Sequence, residues 1–199
     1  MKCHFCSKDA VYRCNVCGKT LCSKHTKLTA TCPTCTHKRK EKYHLNRLAT
    51  ATEGDKIRQL VERFWGEEEQ LTFDRKFNVA QLPTYTAKLG TGIVGFISLA
   101  EMNDAAIIVA LGVLPEHQGV GIGKSLIRRV ESEAKKAGKR ELLVSTSNDD
   151  LPALGFYQSL GFQLYEVKPN IIAEKHGEVL KGIGGLPIRD ELRLRKTLR

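Results

Sequence analysis

The sequence predicts a mixed α/β (α+β) protein, a largely antiparallel sheet flanked by helices, preceded by a small module that folds around metal. Three observations predict this. All seven cysteines of the 199 residues lie in the first 35. After them, three strand-like runs are separated by short Gly-rich or Asn-Asp breaks, the pattern of hairpins. A strand–helix–strand succession follows, which sets helices against the sheet.

The module comes first. Its cysteines read Cys3-x2-Cys6, Cys14-x2-Cys17, Cys22-x2-His25 and Cys32-x2-Cys35. A pair two residues apart bends a loop around one Zn²⁺, with donors about 2.3 Å from it. Four pairs supply eight ligands, enough for two closed tetrahedral sites, which are structural rather than catalytic. Disulfides fit less well. Seven is odd, His25 occupies a ligand slot, and the start Met-Lys-Cys-His has no apolar signal core. The ligand order resembles the B-box type of zinc finger and, more loosely, the HIT type. That resemblance implies a cross-brace, with Cys3, Cys6, Cys22 and His25 on one ion and Cys14, Cys17, Cys32 and Cys35 on the other. B-box fingers usually end in histidines, so His37 is an alternative to Cys35, and His4 is a bystander.

Charge is concentrated in this part. Of the net +10, residues 1–50 hold 11 Lys and Arg against 2 Asp and Glu, a balance of +9. Seven thiolates and two Zn²⁺ would reduce that to about +6, still basic. A basic module, with its tail His37-Lys38-Arg39-Lys40-Glu41-Lys42, suits nucleic acid or an acidic protein. Few aromatics are there for base stacking, only Phe5, Tyr12 and Tyr43. The longest apolar stretch, Ala105 to Leu114, is ten residues, too short to cross a bilayer. The expectation is a soluble protein of a reducing cytosol, with a finger over 1–42, a linker over 43–54 and a larger domain over 55–199.

In the larger domain, Asp55 opens a helix with Ile57, Leu60, Val61 and Phe64 on one face, ending at Trp65-Gly66. Glu67-Glu68-Glu69 reads as a solvated acidic turn. Strands are expected at Thr84–Leu89, Ile93–Ala100 and Ala105–Val113, with turns at Gly90-Thr91-Gly92 and Met102-Asn103-Asp104. A long helix spans Gly121 to Ala137, with Leu126, Ile127, Val130 and Ala134 inward and Gly138 as its stop. A strand over Glu141–Thr146, a helix near Pro152–Leu160, and strands at Phe162–Val167 and Glu191–Arg195 complete the series.

Between the third strand and the long helix lies Gln118-Gly119-Val120-Gly121-Ile122-Gly123-Lys124-Ser125. Such a turn directs backbone N–H groups and a helix N-terminus toward a phosphate or pyrophosphate. A P-loop would need glycine at Gln118, and a Rossmann turn would need glycine at Lys124. Both fail by one residue. Gln118-x2-Gly121-x-Gly123 is similar to the (Arg/Gln)-x2-Gly-x-(Gly/Ala) loop of the GNAT acetyltransferase superfamily. Ala153-Leu154-Gly155-Phe156-Tyr157, continuing to Gly161-Phe162, resembles that superfamily's Ala-Leu-x-Phe-Tyr-x3-Gly-Phe run. Pro187-Ile188-Arg189-Asp190-Glu191 resembles the tail of many members, so the likeness covers residues 55–199.

The resemblance implies acetyl-CoA as cofactor. The backbone of Leu111, Gly112 and Val113 would hold its pantetheine arm. Gly119 to Lys124 would hold the pyrophosphate, with Ser125 assisting, and Tyr157 would protonate the departing thiolate. On helix pattern alone, Tyr157 reads first as a core tyrosine sharing one face with Ala153, Phe156 and Leu160, and the family resemblance reverses that order. The chain departs from the family twice. Asp150 stands where many members have Asn, with Asn148 nearby in a different register, and Asp150 also suits a helix cap. The strand Ala105–Val113 carries no carboxylate; Glu101, Asp104 and Glu116 flank it, with Glu101 and Glu116 as candidate bases and a water chain as the alternative. The leading expectation is an N-acetyltransferase acting on a primary amine of a protein, a lysine or N-terminus, recruited by the finger. Two rivals are a CoA-binding adaptor whose basic finger holds nucleic acid or protein, and an RNA-modifying acetyltransferase.

Overall fold

The computed structural model describes residues 1–14, 17–26, 32–35, 43–49 and 53–198. His37 and the Lys38–Lys42 tail lie outside them. In the cysteine-rich module, β1 (Tyr12–Arg13) pairs antiparallel with β2 (Thr20–Leu21). Leu21 is fully buried there against Cys14 and Cys32.

The rest of the chain is built on seven strands. In chain order these are β3 (His44–Leu48), β6 (Thr84–Leu89), β7 (Gly92–Met102), β8 (Ala105–Val113), β9 (Glu141–Ser147), β10 (Gln163–Lys168) and β13 (Glu191–Thr197). Across the sheet the order is β10-β13-β9-β8-β7-β6-β3. Every neighbouring pair is antiparallel except β8 and β9, which run parallel. The parallel pair requires a crossover, and helix α2 (Ile122–Lys136) supplies it.

The helices lie on opposite faces because the apolar positions of β7 alternate. Phe96, fully buried, packs with Ile57 and Val61 of helix α1 (Gly54–Trp65). Its neighbour Ile97, also fully buried, packs with Leu126, Ile127 and Val130 of α2. Each such side chain contributes about 1.5–3 kcal/mol by leaving water. Helix α3 (Leu151–Ser159) joins the second cluster through Tyr157.

Three features differ from the sequence reading. The expected linker over 43–54 contains β3, the edge strand, whose backbone pairs with β6 from His44↔Lys88 to Leu48↔Tyr85. Its polar composition, His-Leu-Asn-Arg-Leu, is that of an edge, where one side of the ladder faces water. The acidic turn is the start of a hairpin instead. β4 (Glu69–Thr72) pairs with β5 (Arg75–Asn78) around Phe73 and Asp74, whose φ values are 52° and 58°. A tight turn with two left-handed residues is normally written Asn-Gly, so this one carries no sequence signal. Finally, an excursion between β10 and β13 holds helix α4 (Ile171–His176) and a small β11–β12 ladder (Leu180–Lys181 and Pro187–Ile188).

Candidate active site

The parallel pairing of β8 and β9 is short. It runs from Ala105↔Glu141 to Ile108↔Val144 and, among the described residues, goes no further. β8 continues to Val113 on β7, and β9 continues to Ser147 on β13. The two strands therefore fork. A cavity of about 410 Å³ opens in the fork, lined by Ile108 to Leu111 on one strand and Val144 to Ser147 on the other. Backbone groups on the inner edge of β8 past Ile108 have no ladder partner there, so a polar chain laid in the fork can bond to them. Gly112 keeps this edge close to α1, since a Cβ there would lie 2.7 Å from the Phe96 ring and 2.8 Å from the Phe64 ring.

At the end of β8 the chain turns through a 3-10 segment, Pro115–His117, into the glycine turn. Gly119 and Gly121 have φ of 75° and 91°, left-handed values that a side chain would strain, and Gly121 is the N-cap of α2. The first intrahelical bond, Ser125 N–H to Gly121 O, is 3.0 Å, so Ile122 and Gly123 have amides without a helical acceptor. Val120 and Ile122 bury their side chains in the core and can offer a ligand only backbone. Lys124 is exposed on the first turn and Ser125 half-buried beside it. The Gln118 side chain folds back, its Nε2 donating to Val113 O at 2.8 Å, and so braces the turn.

Tyr157 lines the cavity from α3, is 6% exposed, and its hydroxyl has no hydrogen-bond partner among the described residues. Burial pushes its phenol well above the ordinary value, and the charge of Asp150 adds to the shift. Asp150 also lines the cavity and caps α3, with Oδ1 accepting from Ala153 N–H at 2.9 Å. Burial raises its carboxyl, the capping amide opposes this, and neighbouring Asp149 adds to the rise.

Three candidates stand elsewhere. Glu101 is at the far end of β7, opposite Ala106, and pairs with Lys139 at 2.9 Å. Glu116 is exposed on the 3-10 segment and does not line the cavity. Glu101 sits where β8 is still paired with β9, before the fork begins, and Glu116 lies beyond the end of β8. Asn148 is a strut. Its Nδ2 donates to Pro187 O at 2.7 Å and its Oδ1 accepts from Arg189 and Asp190 amides at 2.9 Å, which holds the excursion in place. Asp149, 4% exposed, accepts from Ile183 N–H at 2.9 Å and does the same.

Other residues at the cavity gave no sequence signal, because they come from distant segments. Thr72, Ser145 and Glu191 meet at its base, joined by hydrogen bonds of 2.6 and 2.9 Å. Glu67 and Lys175 pair across its mouth, linking the start of the hairpin to α4.

The module has its own site. Cys3, Cys6, Cys22 and His25 form one group of donors and Cys14, Cys17, Cys32 and Cys35 another, each with ligand atoms within 4.8 Å of one another. Cys6–Cys22 and Cys17–Cys32 sulfurs are 3.7 Å apart, and His25 Nδ1 is 3.6 Å from Cys3 and 3.4 Å from Cys22. These match the edges, about 3.8 Å between sulfurs, of a tetrahedron around an ion bound at ~2.3 Å. All seven thiols are free of disulfides. The donor set suits zinc.

Residues 54–162 match the sequence profile of the Acetyltransferase (GNAT) family, more than half of the chain. The uncharacterized protein YxbD of Bacillus subtilis (strain 168) is 28% identical over 149 residues, which are 72% of this chain and 92% of that protein. YdhI of the same organism is 30% identical over 142 residues, 68% of this chain and 87% of YdhI. Human N-acetyltransferase 8B is 38% identical over a shorter 77 residues, 36% and 34% of the two chains. Among solved structures, an IAA acetyltransferase from Bacillus cereus superposes with a TM-score of 0.61 at 25% identity, over 78% of this chain and 99% of the other. A Bacillus subtilis acetyltransferase in complex with CoA gives 0.58 at 21% identity, over 79% and 99%, a likeness of fold.

Proposed function

The chain belongs to the GNAT acetyltransferase family, and from this we propose that it moves the acetyl group of acetyl-CoA onto a primary amine of a protein, a lysine side chain or an N-terminus. The observation that carries this reading is the fork between β8 and β9, which opens into a cavity lined by Tyr157, with the amide-lined start of α2 following the end of β8 in the chain.

Acetyl-CoA, the donor substrate, supplies an activated thioester. The chain's own residues do the rest. Leu111, Gly112 and Val113 offer backbone groups to the pantetheine arm, as an added strand would. Gly119 to Lys124 surround the pyrophosphate with amides at the positive end of α2, and Ser125 adds a hydroxyl. Asp150, with one oxygen on its cap, offers the other to a pantetheine amide. Tyr157, held protonated by burial, gives its proton to the leaving sulfur as the nitrogen of the neutral amine bonds the acetyl carbon and the carbon–sulfur bond breaks, and the proton that the nitrogen then loses returns to the Tyr157 oxygen.

The cysteine-rich module, taken as residues 1–42, binds two structural zinc ions in a B-box-like cross-brace and recruits the acceptor protein. Its basic charge and closed donor sets support a recognition role, since a closed site has no vacancy for catalysis. The test is mass spectrometry of a whole-cell extract incubated with acetyl-CoA and the pure protein. New acetyl groups on a few protein amines support the reading. Tight acetyl-CoA binding without any product sinks it and leaves a CoA-binding adaptor.

A further inference from the structure

Glu101 and Glu116 do not face the cavity, so the group that meets the incoming amine must be found among the residues that do. The base of the cavity holds a hydrogen-bond chain whose polarity is decided by its chemistry. Glu191 is 4% exposed and ion-paired with Arg193 at 2.8 Å. Its Oε1 accepts from the Thr72 hydroxyl at 2.9 Å and from the Phe73 amide at 3.1 Å, and its Oε2 accepts from Arg193 Nε at 2.8 Å. A carboxylate in an ion pair donates nothing, so the proton on the Thr72 hydroxyl is the one shared with Glu191.

A hydroxyl has only one proton. At its 2.6 Å contact with Ser145 Oγ, Thr72 is therefore the acceptor and Ser145 the donor. Ser145 then has lone pairs but no proton to offer anything else. It is the first residue of β9 beyond the last pair with β8, at the crotch of the fork, and it lines the cavity together with Tyr157.

The arrangement is held firmly. Phe73 and Asp74 keep left-handed backbone at a cost that persists only where the surroundings over-determine it. Here Glu191 takes the Phe73 amide, and the Arg193 guanidinium stacks 5.0 Å from the Phe73 ring while meeting Asp74 at 3.0 Å. We infer that Ser145 is a catalytic residue that receives an N–H of the acceptor amine and turns its nitrogen toward the thioester. Thr72 and Glu191 are the positioning residues that keep the Ser145 hydroxyl pointed away from it. This rests on the acetyltransferase reading.

The test uses the full chain, acetyl-CoA and a panel of amines: amino acids, polyamines, and peptides with a free N-terminus or a lysine. Release of CoA thiol, acetyl-CoA affinity and melting temperature are measured for Ser145→Ala, Thr72→Val and Thr72→Ser. Ser145→Ala and Thr72→Val should each lower kcat/KM for the amine by about three- to tenfold, the range expected for a lost hydrogen bond to the neutral amine that attacks. Thr72→Val acts by letting the Ser145 proton swing into the cavity. Acetyl-CoA affinity should stay within about twofold, and Thr72→Ser, which keeps the chain, should retain activity. A Ser145→Ala enzyme as active as the wild type overturns the inference and leaves the transferase reading intact. Wild-type protein that binds acetyl-CoA and acetylates nothing overturns both. If Thr72→Val unfolds, seen as a lowered melting temperature and lost acetyl-CoA binding, Ser145→Ala decides alone.

Discussion

Tyr157 and Asp150 carry opposite kinds of information although they stand less than two turns apart. The tyrosine is buried and lines the cavity, and its hydroxyl has no hydrogen-bond partner among the described residues. Replacing Tyr157 with Phe should lower kcat by about a hundredfold while leaving acetyl-CoA affinity unchanged. Because burial holds the phenol above its ordinary range, it stays protonated through the neutral and mildly alkaline range, so the acid is not lost as pH rises there. An ultraviolet titration should find one of the five tyrosines ionising only as the protein unfolds, and the phenylalanine variant should lack it. Asp150 makes a different prediction. Burial raises its carboxyl, so the folded state holds this proton more tightly than the unfolded chain does. The stability this adds is present in acid and lost as pH rises through the carboxylate range. Asp150→Asn keeps the cap and removes the charge. Melting temperatures should show the variant at least as stable as the wild type at neutral pH, with the difference vanishing in acid.

At the scale of elements, the site exists because β8 is shared unequally. It follows β7 along its whole length and β9 along less than half, and α1 packs over the part that β9 abandons. Gly112 permits that packing. Gly112→Ala would place a methyl carbon 2.7 Å from the Phe96 ring and push α1 off the strand. The expected cost is about 1–3 kcal/mol in a denaturant titration, with weakened acetyl-CoA binding because the donor edge moves with it. The helices α1 and α2 were legible in the sequence because Ile57 and Val61, and Leu126 and Val130, repeat at helical spacing. The hairpin β4–β5 was not. Its turn is written Phe73-Asp74, and its left-handed backbone is held from outside by Glu191 and Arg193 rather than by glycine. β3 was missed for a related reason: an edge strand with polar residues looks like a linker until its partner is known.

At the scale of the whole molecule, the chain joins a cysteine-rich module whose two donor sets suit zinc to a domain held by its core. Elemental analysis should find two zinc ions per chain. A chelator should melt the module and leave acetyl-CoA binding by the larger domain unchanged. Where the two parts separate is also testable. A chain beginning at Tyr43 keeps β3 and the Tyr43 hydroxyl, which meets His117 Nδ1 at 3.0 Å just before the glycine turn. A chain beginning at Gly54 loses both, exposing the β6 edge. The first should bind acetyl-CoA as the full chain does, and the second should bind it less tightly and melt earlier.

Read alone, the chain determined what local patterns encode: ligand pairs two residues apart, helices with one apolar face, and a glycine turn ahead of a helix with Ala153–Phe162 beyond it. These follow from neighbours within a few residues, so spacing reveals them. Only the tertiary structure decided which carboxylates face the cavity, that Asn148 is a strut, and that Ser145, Thr72 and Glu191 share one hydrogen-bond chain. Those outcomes depend on where β9 parts from β8 and on contacts spanning up to 119 positions. No periodicity records such contacts, because a side chain's partner across a sheet is set by register and topology rather than by its place in the chain.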